Sequence, residues 1–206
     1  MPVMIPFPNI SPEIFSISVG GLEVALRWYA LSYIVGFFLA LYIMKSFVQK
    51  DYLWPSNQAP LRADQPEAML TYLIVGVIIG GRLGYVLFYN LSFYFQHPID
   101  ILKVWEGGMS FHGGFLGVVV ALLWYFKFNG INVNSGSDLI ALATPPGLLF
   151  GRIANFINAE LWGKPTTVPW GVVFPGNDAQ NCPTVIGLCA RHPSQLYEGA
   201  LEGLLL

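Results

Sequence analysis

The sequence predicts an all-α, polytopic transmembrane helical bundle. Three observations predict it. The 206 residues are 54% hydrophobic and only 11% charged, where a soluble domain carries about 25% charged residues. Mean hydropathy over the whole chain is +0.56. The apolar residues are also gathered into windows of spanning length, and a membrane helix needs about 20 of them. Four windows qualify, from about Leu26 to Val48, Met69 to Tyr89, Met109 to Phe128 and Leu139 to Ile157. A fifth apolar run opens near Leu196 and ends with the chain at Leu206. The expectation is therefore four complete spans and the start of a fifth. Residues 1–206 are read as a single integral membrane domain, C-terminally truncated.

The connections differ in character. The N-terminal MPVMIPFPNISPEIF has neither a basic n-region nor a small-residue cleavage site, so it is not read as a signal peptide. Its prolines and aromatics predict an interfacial segment ahead of the first span. Lys45 to Glu67 is a polar, proline-containing linker, and Lys127 to Ser137 is short and rich in Asn, Gly and Ser. The stretch from about 160 to 193, dense in proline and glycine, predicts an ordered, irregular extramembrane loop. Counts of Lys and Arg on the two sides come out nearly even. Lys45, Lys50 and Lys127 each follow or end a span, which favours a cytoplasmic location for those ends. Cys182 and Cys189 then fall outside the cytoplasm, where a disulfide is allowed, with two free thiols as the other reading. Their spacing matches no metal site. The net charge of -2 carries little information, and the lack of a basic patch argues against nucleic acid as a partner.

Polar groups at membrane depth are the next signal. The second window contains Gly76, Gly80 and Gly84, four apart on one helical face, which predicts close approach of a neighbouring helix. Arg82 sits among them. A charge there costs several kcal/mol by insertion scales unless it is paired or reaches the interface. It is either a structurally paired arginine or a phosphate ligand. The fourth window ends in GRIANFINAELWG, Gly151 to Gly163. Arg152, Asn155 and Asn158 are three apart and share a face, with Glu160 and Gly163 just beyond. A guanidinium presents a planar fork of donors suited to phosphate. A buried polar network joining helices fits the same spacing. Pro145 and Pro146 predict a break in that helix. His112, in GGMSFHGG, is a candidate proton acceptor or a structural histidine. RHPSQLYE, Arg191 to Glu198, reads as a helix entry with Pro193 at its start. Arg27, Tyr29 and Tyr33 read as interfacial anchors at the mouth of the first span.

Taken together, these segments resemble the prolipoprotein diacylglyceryl transferase family. The run Gly151 to Gly163 resembles that family's signature throughout. GGRLGYVLFYN, WEGGMSFHGG and RHPSQLYE resemble three more of its segments, in the family's order along nearly the whole chain. The resemblance implies seven spans, multi-pass residence in a bacterial inner membrane, and no metal or organic cofactor. It implies transfer of the diacylglyceryl group of phosphatidylglycerol to the lipobox cysteine of a prolipoprotein signal peptide. It implies His112 and Tyr29 as catalytic, and Arg152 as the main headgroup ligand. Asn155 and Gly163 match functionally important positions. Glu160 and Asn158 share the signature, and Arg82 is a second phosphate contact. The family also supplies an arginine nearer its C-terminus than this chain extends. Two other function classes remain compatible with the composition: a transporter or channel for an anionic lipid or solute, and a non-catalytic lipid-binding scaffold.

Overall fold

A computed structural model describes residues 4–19, 22–183 and 187–205. It is dominated by α-helix. Four helical segments are long and apolar enough to cross a membrane: α1 (Trp28–Val48), α2 (Gln65–Phe88), α4 (Phe111–Asn129) and the segment Val133–Ile157. Between α2 and α4 lies the short α3 (Leu91–Gln96). The outer faces are apolar, with Phe88 81% and Phe111 82% exposed. Lipid rather than water is the solvent those faces suit.

The fourth segment is broken as expected. It consists of α5 (Val133–Ala143) and α6 (Pro145–Ile157). Pro145 and Pro146 lack the amide hydrogens that would continue the ladder. The helix resumes from Thr144, whose carbonyl accepts from Gly147 N at 3.0 Å and Leu148 N at 3.3 Å. α5 begins six residues before the apolar window does. Asn132 explains this, because its Oδ1 accepts from Asn134 N at 3.0 Å and Ser135 N at 3.2 Å. A capped first turn tolerates the polar NSGSD that reads as loop from hydropathy alone.

The chain forms two compact units, Leu41–Leu142 and Met1–Ala40 with Ala143–Leu206. In the first, α2 lies against α4 along a seam of small residues. A Cβ added at Gly80 or Gly84 would sit 2.7 Å from the Cα of Gly117 or Gly113, and one at Gly76 would sit 2.9 Å from Ala121 Cβ. Backbone therefore meets backbone, as small-residue spacing predicts. One end of the seam is fixed by Ser110, whose N donates to Gly81 O at 2.9 Å and whose Oγ caps α4 by accepting from Gly113 N at 3.2 Å. At the other end Tyr125 Oη donates to Gln65 O at 3.2 Å, and Gln65 Nε2 donates to Asn129 Oδ1 at 3.3 Å. Lys45 at the end of α1 forms an ion pair with Glu67 at the start of α2.

In the second unit, strands precede α1. The expected interfacial segment contains β1 (Ile5–Pro6) and an antiparallel hairpin of β2 (Glu13–Val19) and β3 (Leu22–Arg27). Glu13 and Arg27 close the hairpin base with a 3.1 Å ion pair. β1 runs parallel to β4 (Val172–Val173), and the short α7 (Asn177–Gln180) follows. Val172, Phe174 and Ala179 form a small core covered by Phe7, Phe156, Ala159 and Trp162. Cys182 and Cys189 are joined by a disulfide, which decides between the two readings of that pair. α8 (Ser194–Gly203) starts directly after Pro193, as the helix-entry reading predicts. Leu206, where the last apolar run ends, lies outside the described residues.

Two outcomes follow from this architecture. Gly80→Leu is expected to destabilise the α2–α4 pair by about 1–3 kcal/mol or more, because the opposing atoms are backbone. Gly147→Ala, where an added Cβ meets nothing within 4 Å, is the matched control. Thermal unfolding of both variants in detergent checks the difference. Denaturing alkylation is expected to label neither Cys182 nor Cys189 before reduction and both after it, read by intact mass.

Candidate functional site

The unit that holds Met1–Ala40 and Ala143–Leu206 contains most of the residues singled out from the sequence. α6 ends at Ile157 and the chain turns sharply through Asn158 to Leu161. Glu160 N donates to Asn155 O at 3.0 Å, and Ala159 N to Phe156 O at 2.9 Å. Ala159 and Leu161 both adopt left-handed backbone, φ 54° and 56°. Non-glycine residues there cost roughly 1–3 kcal/mol each and persist only where surrounding contacts over-determine them.

Those contacts are present. Asn155 is buried, and its Nδ2 donates to Glu160 Oε1 at 2.8 Å. Asn158 Nδ2 reaches the same oxygen at 3.5 Å. The Glu160 carbonyl accepts from Nε2 of the fully buried Gln195. Ser194 Oγ donates to Leu161 O at 2.9 Å. Gly163 N donates to His192 O at 2.9 Å, and a Cβ at Gly163 would lie 3.0 Å from that carbonyl. This close approach favours glycine at 163. The two motifs read separately in the sequence, Gly151–Gly163 and Arg191–Glu198, thus form one polar assembly.

Arg152 does not share the contacts of Asn155 and Asn158. Its side chain turns to α8, where NH2 lies 2.7 Å from Glu198 Oε2 and Nε lies 3.8 Å from Glu202 Oε2. Sequence reasoning read Glu198 only as a favourable helix-entry charge and did not single out Glu202. The available signal was the arginine itself, since a guanidinium at a span needs a partner. Arg191 was also missed as a clamp. It is buried, lies 3.9 Å over the Trp162 ring, and donates to the carbonyls of Ala179, Asn181 and Gly163 at 2.5, 3.1 and 3.3 Å. Tyr29 is half-buried at the start of α1. Ser32 Oγ donates to its carbonyl at 2.7 Å, and its ring meets Tyr33 edge-on with centroids 5.1 Å apart.

Arg82 and His112 belong to the other unit. Arg82 is buried and spends its donors on backbone. Nε donates to Ile101 O at 2.8 Å, NH1 to Gly107 O at 2.6 Å and Gly108 O at 3.2 Å, and NH2 to Asp100 O at 2.5 Å. Its guanidinium also lies 5.1 Å from the Tyr94 ring centroid. These bonds use four of its five N–H donors. The segment it holds leads directly to His112, which is exposed in the first turn of α4 while Gly113 beside it is buried against α2. Within that segment, the Lys103 ammonium 2.7 Å from Asp100 holds the aspartate below the usual carboxylate range. Among the described residues no group of three or more His, Cys, Asp or Glu side chains is arranged to hold a metal ion.

Arg82→Ala is expected to cost about 3 kcal/mol or more, because four carbonyls lose a charged donor at once. Arg82→Lys is expected to recover only part of it, since an ammonium lacks the planar fork. Thermal unfolding in detergent reads both.

Comparisons with known proteins show the family to which the chain belongs. A family model described as prolipoprotein diacylglyceryl transferase matches residues 12–206. The chain is 60% identical over 202 residues to a phosphatidylglycerol–prolipoprotein diacylglyceryl transferase of Cereibacter sphaeroides, covering 98% of this chain and 69% of that protein. It is 58% identical over 206 residues to the protein of that name from Roseobacter denitrificans, covering 100% of this chain and 70% of that protein. A further relative of that name, from Agrobacterium fabrum, is 44% identical over 98% of this chain and 68% of its own length.

Proposed function

Because the chain belongs to the prolipoprotein diacylglyceryl transferase family, we propose that it transfers the diacylglyceryl group of phosphatidylglycerol to the lipobox cysteine thiol of a prolipoprotein. The observation that carries the reading is the family match across residues 12–206. The chain is a multi-pass protein of a bacterial inner membrane, with four helices of spanning length and bacterial relatives.

The reaction sets clear chemical demands. The cysteine sulfur attacks the glycerol carbon of the diacylglyceryl group, and a C–S bond forms as the C–O bond to phosphate breaks. The bonding pair leaves on the phosphate oxygen, so glycerol phosphate departs. The thiol proton must be removed, because the thiolate is the nucleophile. In this reading His112 accepts that proton, and its glycine-flanked, exposed position in the first turn of α4 supports access by a substrate. Arg152 binds the headgroup phosphate and stabilises the charge that develops on it. Asn155 and Asn158 hold Glu160, and Gly163 with His192 holds the turn that carries them. Tyr29 acts beside the reacting groups. The resemblance adds Arg82 as a second phosphate contact, and its four carbonyl bonds leave one of its five N–H donors over.

The wider architecture is part of the same proposal. Seven spans are inferred, of which the present chain covers four and the opening of a fifth. Residues about 160–193 form an extramembrane loop, and its disulfide supports an extracytoplasmic placement.

The deciding assay uses the full-length gene product, phosphatidylglycerol vesicles and a lipobox peptide, with mass spectrometry of the peptide cysteine. A mass gain of one diacylglyceryl group is expected. Arg152→Ala and His112→Ala are each expected to lower the rate by about 100-fold or more. Bound phosphatidylglycerol without any mass gain would instead support a lipid-binding scaffold. Solute flux through liposomes would support a transporter.

A further inference from the structure

We propose that Glu198, backed by Glu202, is the exchangeable counter-ion of Arg152, occupying the guanidinium between turnovers and driving the product phosphate off it. This inference rests on the reading of Arg152 as the headgroup ligand.

Among the described residues three arginines are buried or largely so, and they are satisfied in two different ways. Arg82 and Arg191 donate to neutral backbone carbonyls. Those acceptors belong to the fold and lose their partner if the arginine moves, so the bonds are permanent. Arg152 is different. Its partners are two carboxylates, and both side chains keep about two-fifths of their surface in solvent. A carboxylate is held by its own side-chain torsions and can turn away without disturbing the backbone. It also carries the same charge as a phosphate, so the two exclude one another at one guanidinium.

The carboxylates are presented rigidly. Glu198 and Glu202 are four apart on α8 and so share a face. Between and beyond them, Gly199 and Gly203 let α8 lie directly on α6. A Cβ at Gly199 would be 3.2 Å from Arg152 Cβ, and one at Gly203 would be 3.0 Å from Leu149 Cα. α8 is therefore packed beside the arginine rather than tethered near it. One contact is close, 2.7 Å, and the other is loose, 3.8 Å. The near carboxylate is the competitor, and the far one keeps the local field negative when the near one swings away.

The chemistry makes such a competitor useful. The substrate is a phosphodiester with one negative charge. The departing glycerol phosphate is a monoester with a charge of about -1.5 to -2 near neutral pH. A lone fixed cation holds that product more tightly than it holds the substrate. A carboxylate waiting beside it recloses the ion pair as the product leaves, so the site does not stay blocked. The cost is weaker binding of phosphatidylglycerol.

The test is steady-state transfer by the full-length protein in phosphatidylglycerol vesicles, with added glycerol phosphate as inhibitor. Glu198→Gln keeps the size and removes the charge. It is expected to lower KM for phosphatidylglycerol and to tighten inhibition by glycerol phosphate, each on the order of threefold to tenfold for a partly exposed pair. Glu202→Gln is expected to move both constants in the same direction by less. If Glu198→Gln does not fold, Glu198→Asp, one methylene shorter, is expected to shift both constants the same way. A purely structural glutamate would lower the yield and kcat and leave the inhibition constant unmoved. Folded variants with unchanged or weakened glycerol phosphate inhibition overturn the proposal. Arg152→Gln separates the two layers. If it leaves KM unchanged, the headgroup reading falls. If it raises KM while the glutamate variants change neither constant, only the counter-ion inference falls.

Discussion

A guanidinium in or beside a membrane cannot be left with idle donors, and much of this structure is arranged around that constraint. Water does not reach such a group freely, and each unsatisfied donor or unpaired charge costs several kcal/mol. The chain meets the demand with backbone in two places. Arg82 draws in the carbonyls of residues 100–108, and Arg191 draws in those of Ala179, Asn181 and Gly163. In both cases the segment is built of short helical turns with few ladder bonds of their own, and the arginine gives it a fixed shape. At Arg152 the demand is met by carboxylates instead. That difference is what separates an arginine that organises the fold from one suited to exchange an anionic partner.

The close helix contacts rest on the same economy of atoms. Lipid gives helices little hydrophobic reason to associate, so close packing must supply it. Gly76, Gly80 and Gly84 bring α2 onto α4, and Gly199 and Gly203 bring α8 onto α6. The first seam sets the start of α4, where Ser110 caps the helix and His112 follows. The second sets the distance between Arg152 and its glutamates. As at Ser56 and Asn57, strain is accepted at the left-handed Ala159 and Leu161 on either side of Glu160. Asn155, Gln195 and Ser194 hold that turn from two sides of the motif pair.

Much of this was legible in the residues. Hydropathy located the first three spans to within a few residues, because long apolar runs have no other stable environment. The tandem prolines 145 and 146 marked the break in the fourth, and the four-residue glycine spacing marked the seam. The start of α5 was not legible from hydropathy, since Asn132 makes a polar stretch helical by capping it. The β2–β3 hairpin was missed although a signal was present, because EIFSISV and LEVALR are strand-length runs separated in sequence by Gly20 and Gly21. In the candidate site, the signature gave Arg152, Asn155, Asn158, Glu160 and Gly163. It did not give their partners. Glu198 and Glu202 lie more than forty residues from Arg152; Glu198 ends the RHPSQLYE segment but reads there as part of a helix entry, and nothing in the residues around Glu202 sets it apart. Arg191 reads as an ordinary loop arginine until Trp162 and three carbonyls are seen around it.

The central claim is that Arg152 is the phosphate site and gives up its glutamate to bind. A structure of the full-length protein bound to a non-transferable phosphatidylglycerol analogue tests it directly. Phosphate oxygens are expected at about 2.7–2.9 Å from the Arg152 guanidinium, with the Glu198 carboxylate moved out of contact. A headgroup bound elsewhere, with Arg152 still closed on Glu198, would contradict it.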